Sequence, residues 1–155
     1  MERSIAIANR LQEVLLDGKW IANTNFKEQI ENTHWQQAVH QIGDLNTIAL
    51  LTFHINYYLS GILNVFEGGT LDIRDKYSFD LPEIKDEAAW IALVTDFIKN
   101  AEKFIEYVRQ MDDPQLSEDF VDQKYGSYCR NIEGVIEHSY YHLGQISLLK
   151  KLMPK

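Results

Sequence analysis

Apolar residues along this chain recur at three- and four-residue spacing, the period of an α-helix with one buried face. Four segments carry the pattern. The first, Ser4 to Leu16, places Ile5, Ala8, Leu11 and Leu15 on one side and stops at Asp17-Gly18. The second starts at Asn46, a residue suited to an N-cap, and runs to about Phe66 before Gly68-Gly69. The third is the most regular: Asp86 caps it, and Trp90, Leu93, Phe97, Ala101, Phe104, Val108 and Met111 form one seam. The fourth begins near Tyr128 or Asn131 and reaches Leu152, with Val135, Leu148, Leu149 and Leu152 assigned to its inner side. No segment alternates with the two-residue period of a strand, so the expected class is all-α, a four-helix bundle within one domain over residues 1–155.

The connections predict the topology. Gly68 to Lys85, about 18 residues at roughly 3.3 Å each, can span the length of a helix of about 20 residues. Adjacent antiparallel helices need only about 2 to 8 linking residues. A long crossover between the second and third helices therefore predicts an up-down-down-up bundle. Two further irregular regions remain. Residues 19–45 hold Trp20, Phe26 and Trp35 and are expected to contain a short helix capped by Thr33. Residues 112–127 mix aromatic and charged side chains and could partly cover a site.

Composition narrows the class. Hydrophobic residues make up 45% and charged residues 25% of the chain, enough to build a core. A net charge of -8 opposes a nucleic-acid partner, which requires a basic surface. No unbroken apolar run approaches the roughly 18 residues of a membrane span, and the N-terminus does not read as a signal peptide. The single cysteine, Cys129, rules out an internal disulfide and points to a reducing, cytoplasmic setting. Cys129 itself reads as a structural residue.

The chemistry lies in the histidines. Of five, His138 and His142 stand four apart, one turn apart on one face of the fourth helix. That spacing alone is weak support, because it arises readily by chance. The face carrying the pair also carries Gly134, Val135, Gln145 and Leu149, which makes it the core side. His54 falls on the inner side of the second helix among Thr47, Leu51, Tyr58, Gly61 and Val65. Three buried imidazoles need partners, and one divalent metal satisfies all three while leaving positions for water or substrate. Zinc, nickel, iron and copper all accept imidazole. Gln145 and Tyr58 share the site as candidate substrate-binding or supporting residues. Gly61 and Gly134 allow close packing or space for a ligand, and His34 and His40 read as surface or loop residues.

Two metal motifs are absent. The stretch His138-Ser139-Tyr140-Tyr141-His142 lacks the glutamate of a zinc-protease helix, and the single Glu-x-x-His, Glu31 to His34, lies outside the long helices. No carboxylate shares the histidine face, since Glu137 points about 100° away around the helix. A metal hydrolase is therefore the weaker chemical alternative, beside a non-catalytic metal- or ligand-binding stress protein.

Asn46-Thr47-Ile48-Ala49 leading into "LLTFHINYY", followed later by "IEHSYYHLGQISLLKK", resembles the DinB-like superfamily of metal-dependent bundle proteins. The family signature sets one histidine on the second helix and His-x-x-x-His on the fourth, often followed by Gly-Gln. Here those positions are His54, His138 and His142, with Gly144-Gln145 following. The stretches "GGTLDIRDKYSFDLP" and "FVDQKYGSYCRNI" resemble uncharacterised members. The likeness runs from residue 46 to the C-terminus and is loose before it. It implies an up-down-down-up bundle, one divalent metal (nickel or zinc first, iron or manganese next), and a homodimer. It also implies a small-molecule substrate: some relatives transfer low-molecular-weight thiols such as bacillithiol or mycothiol, or use them in isomerisation. The expected activity is thus that of a thiol S-transferase.

Overall fold

The computed structural model describes residues 2–154; Met1 and Lys155, the ends of the expected 1–155 domain, lie outside them. Its elements are helices and short helical turns, with no strand among the described residues. In chain order they are α1 (Glu2–Gln12), α2 (Phe26–Glu31), α3 (Trp35–Ala38), α4 (Ile48–Phe66), α5 (Glu87–Arg109), α6 (Asp113–Ser117) and α7 (Tyr128–Leu152). The four expected segments are α1, α4, α5 and α7.

Helix α1 runs directly into a wider π turn over Glu13–Asp17, closed by the Gly18 N–H donating to the Glu13 carbonyl at 3.1 Å. A Cβ at residue 18 would collide with Glu13, so the stop at Gly18 has a steric cause. The buried side is Ser4, Ile7, Ala8, Leu11, Val14 and Leu15, whereas Ile5 is exposed, contrary to the expected seam. The extra residue in the π turn lets Val14 and Leu15 both face inward.

Capping corrects the expected starts in two places. Thr47 rather than Asn46 caps α4, its hydroxyl accepting from the Leu50 N–H at 3.1 Å. The region 19–45 contains two short helices. Asn25 caps α2, while Thr33 caps neither and donates to the Gln29 carbonyl. Asp86 caps α5 as expected, accepting from Ala89 N–H at 2.8 Å, and Ser127 caps α7.

Phe26 stacks on Phe97 at 5.2 Å, and the Trp90 indole donates to the Thr33 carbonyl at 2.9 Å, so α2 and its exit are anchored on α5. On α7 the inner positions are Ile132, Val135, Ile136, Leu143, Ile146 and Leu149. Leu148 and Leu152, assigned inward from the sequence, are exposed, as is Tyr141. They flank the buried face, where a helical period alone separates inside from outside poorly.

Cross-helix pairings order the bundle. Asn56 of α4 donates to Asp96 of α5 at 2.9 Å and accepts from Asn100, while Phe66 packs further on against Phe104 and Tyr107. Between α4 and α7, His54 meets His138 and His142, and Phe66 stacks on Tyr128. Between α1 and α7, Arg3 donates to the Cys129 sulfur at 3.2 Å and Arg10 faces Glu133 at 3.6 Å. By length and a mean hydropathy of 1.3, α4 meets the measure of a membrane-spanning helix, which no unbroken apolar run in the sequence does. Of its apolar window 61% is buried inside the protein, which is also the character of a core helix.

Candidate metal centre

His54 sits in the middle of α4, flanked by Leu51, Ile55 and Leu59 on the same buried helix. His138 and His142 lie one turn apart on α7, and where α7 packs on α4 the three rings converge. Their nitrogens lie within 4.8 Å of one another, a cluster that could hold a metal ion. The other two histidines, His34 and His40, are exposed and take no part.

The hydrogen bonds decide which nitrogens face inward. His54 Nδ1 lies 3.2 Å from the Ser78 carbonyl, and a carbonyl only accepts, so Nδ1 carries the proton. His142 Nδ1 lies 2.6 Å from Gln145 Oε1 and donates in the same way. Both Nε2 atoms therefore present lone pairs, and both face His138 Nε2, at 3.1 Å from His54 and 2.9 Å from His142. One proton on His138 Nε2 serves only one of these lone pairs at a time. Among neutral imidazoles a lone pair is always left over.

A divalent cation removes that deficit by accepting all three. Ligand nitrogens at about 2.0–2.1 Å from a tetrahedral zinc lie about 3.3 Å apart, close to the observed separations. Donation of Nδ1–H to carbonyl oxygens is also the usual outer-shell arrangement that orients a metal-bound histidine. The donor set thus fits a divalent ion with three imidazole ligands.

Burial pushes all three histidines below the ordinary imidazole range. For His138 burial, then the neighbouring imidazoles of His142 and His54, bring the pKa down to about 4. For His54 burial outweighs the hydrogen bond to Ser78, and for His142 it outweighs the hydrogen bond to Gln145. Near neutral pH the cluster is uncharged, the form that binds metals.

The crossover between α4 and α5 supplies the surrounding groups, a role not read from the sequence. Besides the Ser78 carbonyl, it lays the Phe79 ring parallel to His54 at 4.0 Å and 4°. Asp75 accepts from the Tyr58 hydroxyl at 2.6 Å, and Tyr58 meets the His54 and His138 rings edge-on. Burial and then Asp75 push the Tyr58 hydroxyl up to about 12, so it remains a proton donor. The sequence did offer a signal: Leu71, Ile73, Tyr77, Phe79, Leu81 and Ile84 are apolar or aromatic residues spaced through a connection otherwise rich in charge and glycine.

The two glycines differ. A Cβ at Gly61 would strike Ile73, so this glycine admits the crossover onto α4 rather than leaving ligand space. At Gly134, apart from its own helix backbone, the one atom of the described residues within 4 Å is Arg130 Nη1 at 3.8 Å, leaving room. That room belongs to a cleft of about 350 Å³ that opens from His138 between Tyr58, Ile62 and Val135 toward Tyr125 and Arg130. Of the candidate supporting residues, Gln145 orients His142, and Tyr58 lines the cleft.

No protein-family model, curated protein or solved structure matches this chain. Fold and site together define its class from geometry alone: an all-helical protein with a three-histidine cluster able to hold a metal ion.

Proposed function

We propose that the protein is a metal-dependent enzyme of the thiol S-transferase type, built as an up-down-down-up four-helix bundle around one divalent ion, nickel or zinc. The topology is supported by pairings whose positions rise together in α4 and α5 and run opposite in α4 and α7. The observation that carries the metal is the meeting of three Nε2 atoms, two with their protons fixed on Nδ1 by carbonyl acceptors. The resemblance of residues 46 to the C-terminus to DinB-like proteins supports the thiol chemistry and a homodimer, and the single cysteine supports a cytoplasmic setting.

When bound, the ion supplies the positive charge that favours the thiolate form of a substrate thiol at neutral pH. His54, His138 and His142 hold it as neutral ligands, and Ser78 and Gln145 keep two rings in the required tautomer. Phe79 shields the His54 face from water, and the apolar walls at Ile62 and Val135 lower the local dielectric. Tyr58, kept protonated, presents a hydroxyl dipole beside the site.

Asp75 favours a second reading, a metal-dependent hydrolase. It is a carboxylate held beside the cluster through Tyr58, of the kind that the histidine-bearing helix faces lack. The two readings separate on Asp75→Asn, which removes hydrolysis but leaves thiol transfer within a few fold.

Elemental analysis after incubation with nickel or zinc tests the shared core. About one ion per chain is expected, lost in His54→Ala, His138→Ala and His142→Ala. A wild-type protein that stays metal-free refutes it. A loaded protein inactive on thiols and ester substrates, yet binding small ligands, is a non-catalytic binder.

A further inference from the structure

The cleft leading from the triad has a chemical polarity of its own. Its walls near His138 are Tyr58, Ile62 and Val135, and its outer end holds Arg130. None of its lining residues is acidic, although the chain carries a net charge of -8. Arg130 extends toward the triad: its Nη1 lies 3.8 Å from the Cβ position of Gly134, one turn before His138. Among the described residues its ion-pair partner is Glu137, at 3.7 Å and with both side chains exposed. That separation exceeds the roughly 2.7–2.9 Å of a charge-assisted hydrogen bond, so the guanidinium keeps its donor fork for a ligand. A second cation, Lys124, holds its ammonium 5.1 Å over the ring of Tyr125, which lines the cleft.

We infer that the Arg130 end of this cleft is an anion subsite, which takes the carboxylate of a small substrate whose metal-binding donor faces the triad. The inference rests on the proposed function for the donor end, and on the cleft alone for the anion end. One helical turn, on the order of 6 Å, separates Gly134 from His138 and sets the span between the two groups of the substrate. At about 350 Å³ the cleft lies at the small end of ligand sites, which suits a compact carboxylated molecule. Gly134 leaves that path open, since among the described residues, its own helix backbone apart, only the guanidinium comes near its missing side chain.

Cobalt-loaded protein titrated with 4-mercaptobutanoate and with its neutral counterpart 4-mercapto-1-butanol reads the donor end through sulfur-to-metal absorption. The wild type is expected to bind the carboxylate at least 10-fold more tightly, and Arg130→Gln to bring the two within about 2-fold. Equal affinities in the wild type, or a preference that survives Arg130→Gln, overturn the subsite. Butanoate alone, added to metal-free ¹⁵N-labelled protein, reads the anion end separately. Saturable amide shifts at Asn131 and Gly134 that vanish in Arg130→Gln support the subsite even if no metal binds, and their absence in the wild type overturns it. In the wild type, equal affinities with metal bound condemn the subsite alone; a wild type that takes up no metal yet shows the butanoate shifts condemns the metal reading alone.

Discussion

At the scale of single residues, the centre is a problem in proton bookkeeping. His54 and His142 each commit one nitrogen to a carbonyl oxygen, and their other nitrogens compete for His138. Gln145 is informative because it touches the cluster only through His142. Gln145→Leu removes the acceptor that holds the ring's tautomer while keeping similar bulk. We expect metal affinity to fall by about 10- to 100-fold with helicity unchanged, measured by competition with a chelating dye and by circular dichroism. Unchanged affinity would mean that packing alone orients His142. Much of this was legible in the residues: His54, His138, His142 and Gln145 all lie on faces that the helical period turns inward. The hydrogen-bonding role of Gln145 was not, because face membership says nothing about which atom meets which.

At the scale of elements, the crossover of residues 67–86 is a structural part of the site. It reaches α4 where Gly61 has no side chain, and Ile73 fills the space. Beyond that contact it delivers Asp75, Ser78 and Phe79 to the histidines. Gly61→Leu must therefore lift the crossover. A cost of about 1–3 kcal/mol for overpacking is expected in chemical denaturation, together with at least 10-fold weaker metal binding as the Ser78 contact is lost. Stability loss without any change in metal binding would show that the crossover does not govern the cluster. A helical gain at residue 61, where alanine-like propensity exceeds that of glycine, works in the opposite direction and is smaller, about 1 kcal/mol.

For the whole molecule, charge and burial couple metal binding to stability. An ion bound at 100 times its dissociation constant stabilises the fold by about 2.7 kcal/mol, which raises Tm by about 5–10 °C for a chain of this size. A thermal shift that appears in the wild type and is absent in His138→Gln is the expected result. The metal-free protein has its own pH signature. The folded pKa values of His54, His138 and His142 lie below the unfolded value of 6.5, reaching about 4 for His138. The unfolded chain then binds more protons between about pH 6.5 and 4, so stability is complete above this window and is lost as pH falls through it. Metal-free wild type should lose Tm more steeply than His138→Gln between pH 7 and 4.5. Parallel curves would show that the cluster does not titrate this way.

What the sequence determined by itself was the all-helical class, the approximate extents of the four long helices, and the inward placement of three histidines. These follow from periodicity, a local property written into each segment. It erred where the period leaves a residue at the margin of a face, at Ile5, Leu148 and Leu152, and where neighbouring polar residues compete to cap, at Asn46 and Thr47. Only the tertiary structure decided that Ser78, Phe79 and Asp75 surround the cluster and that Arg130 ends its cleft. An irregular connection has no period to announce its buried side. Its path is set by where another helix leaves room, here at Gly61, and that room exists only once the helices have packed.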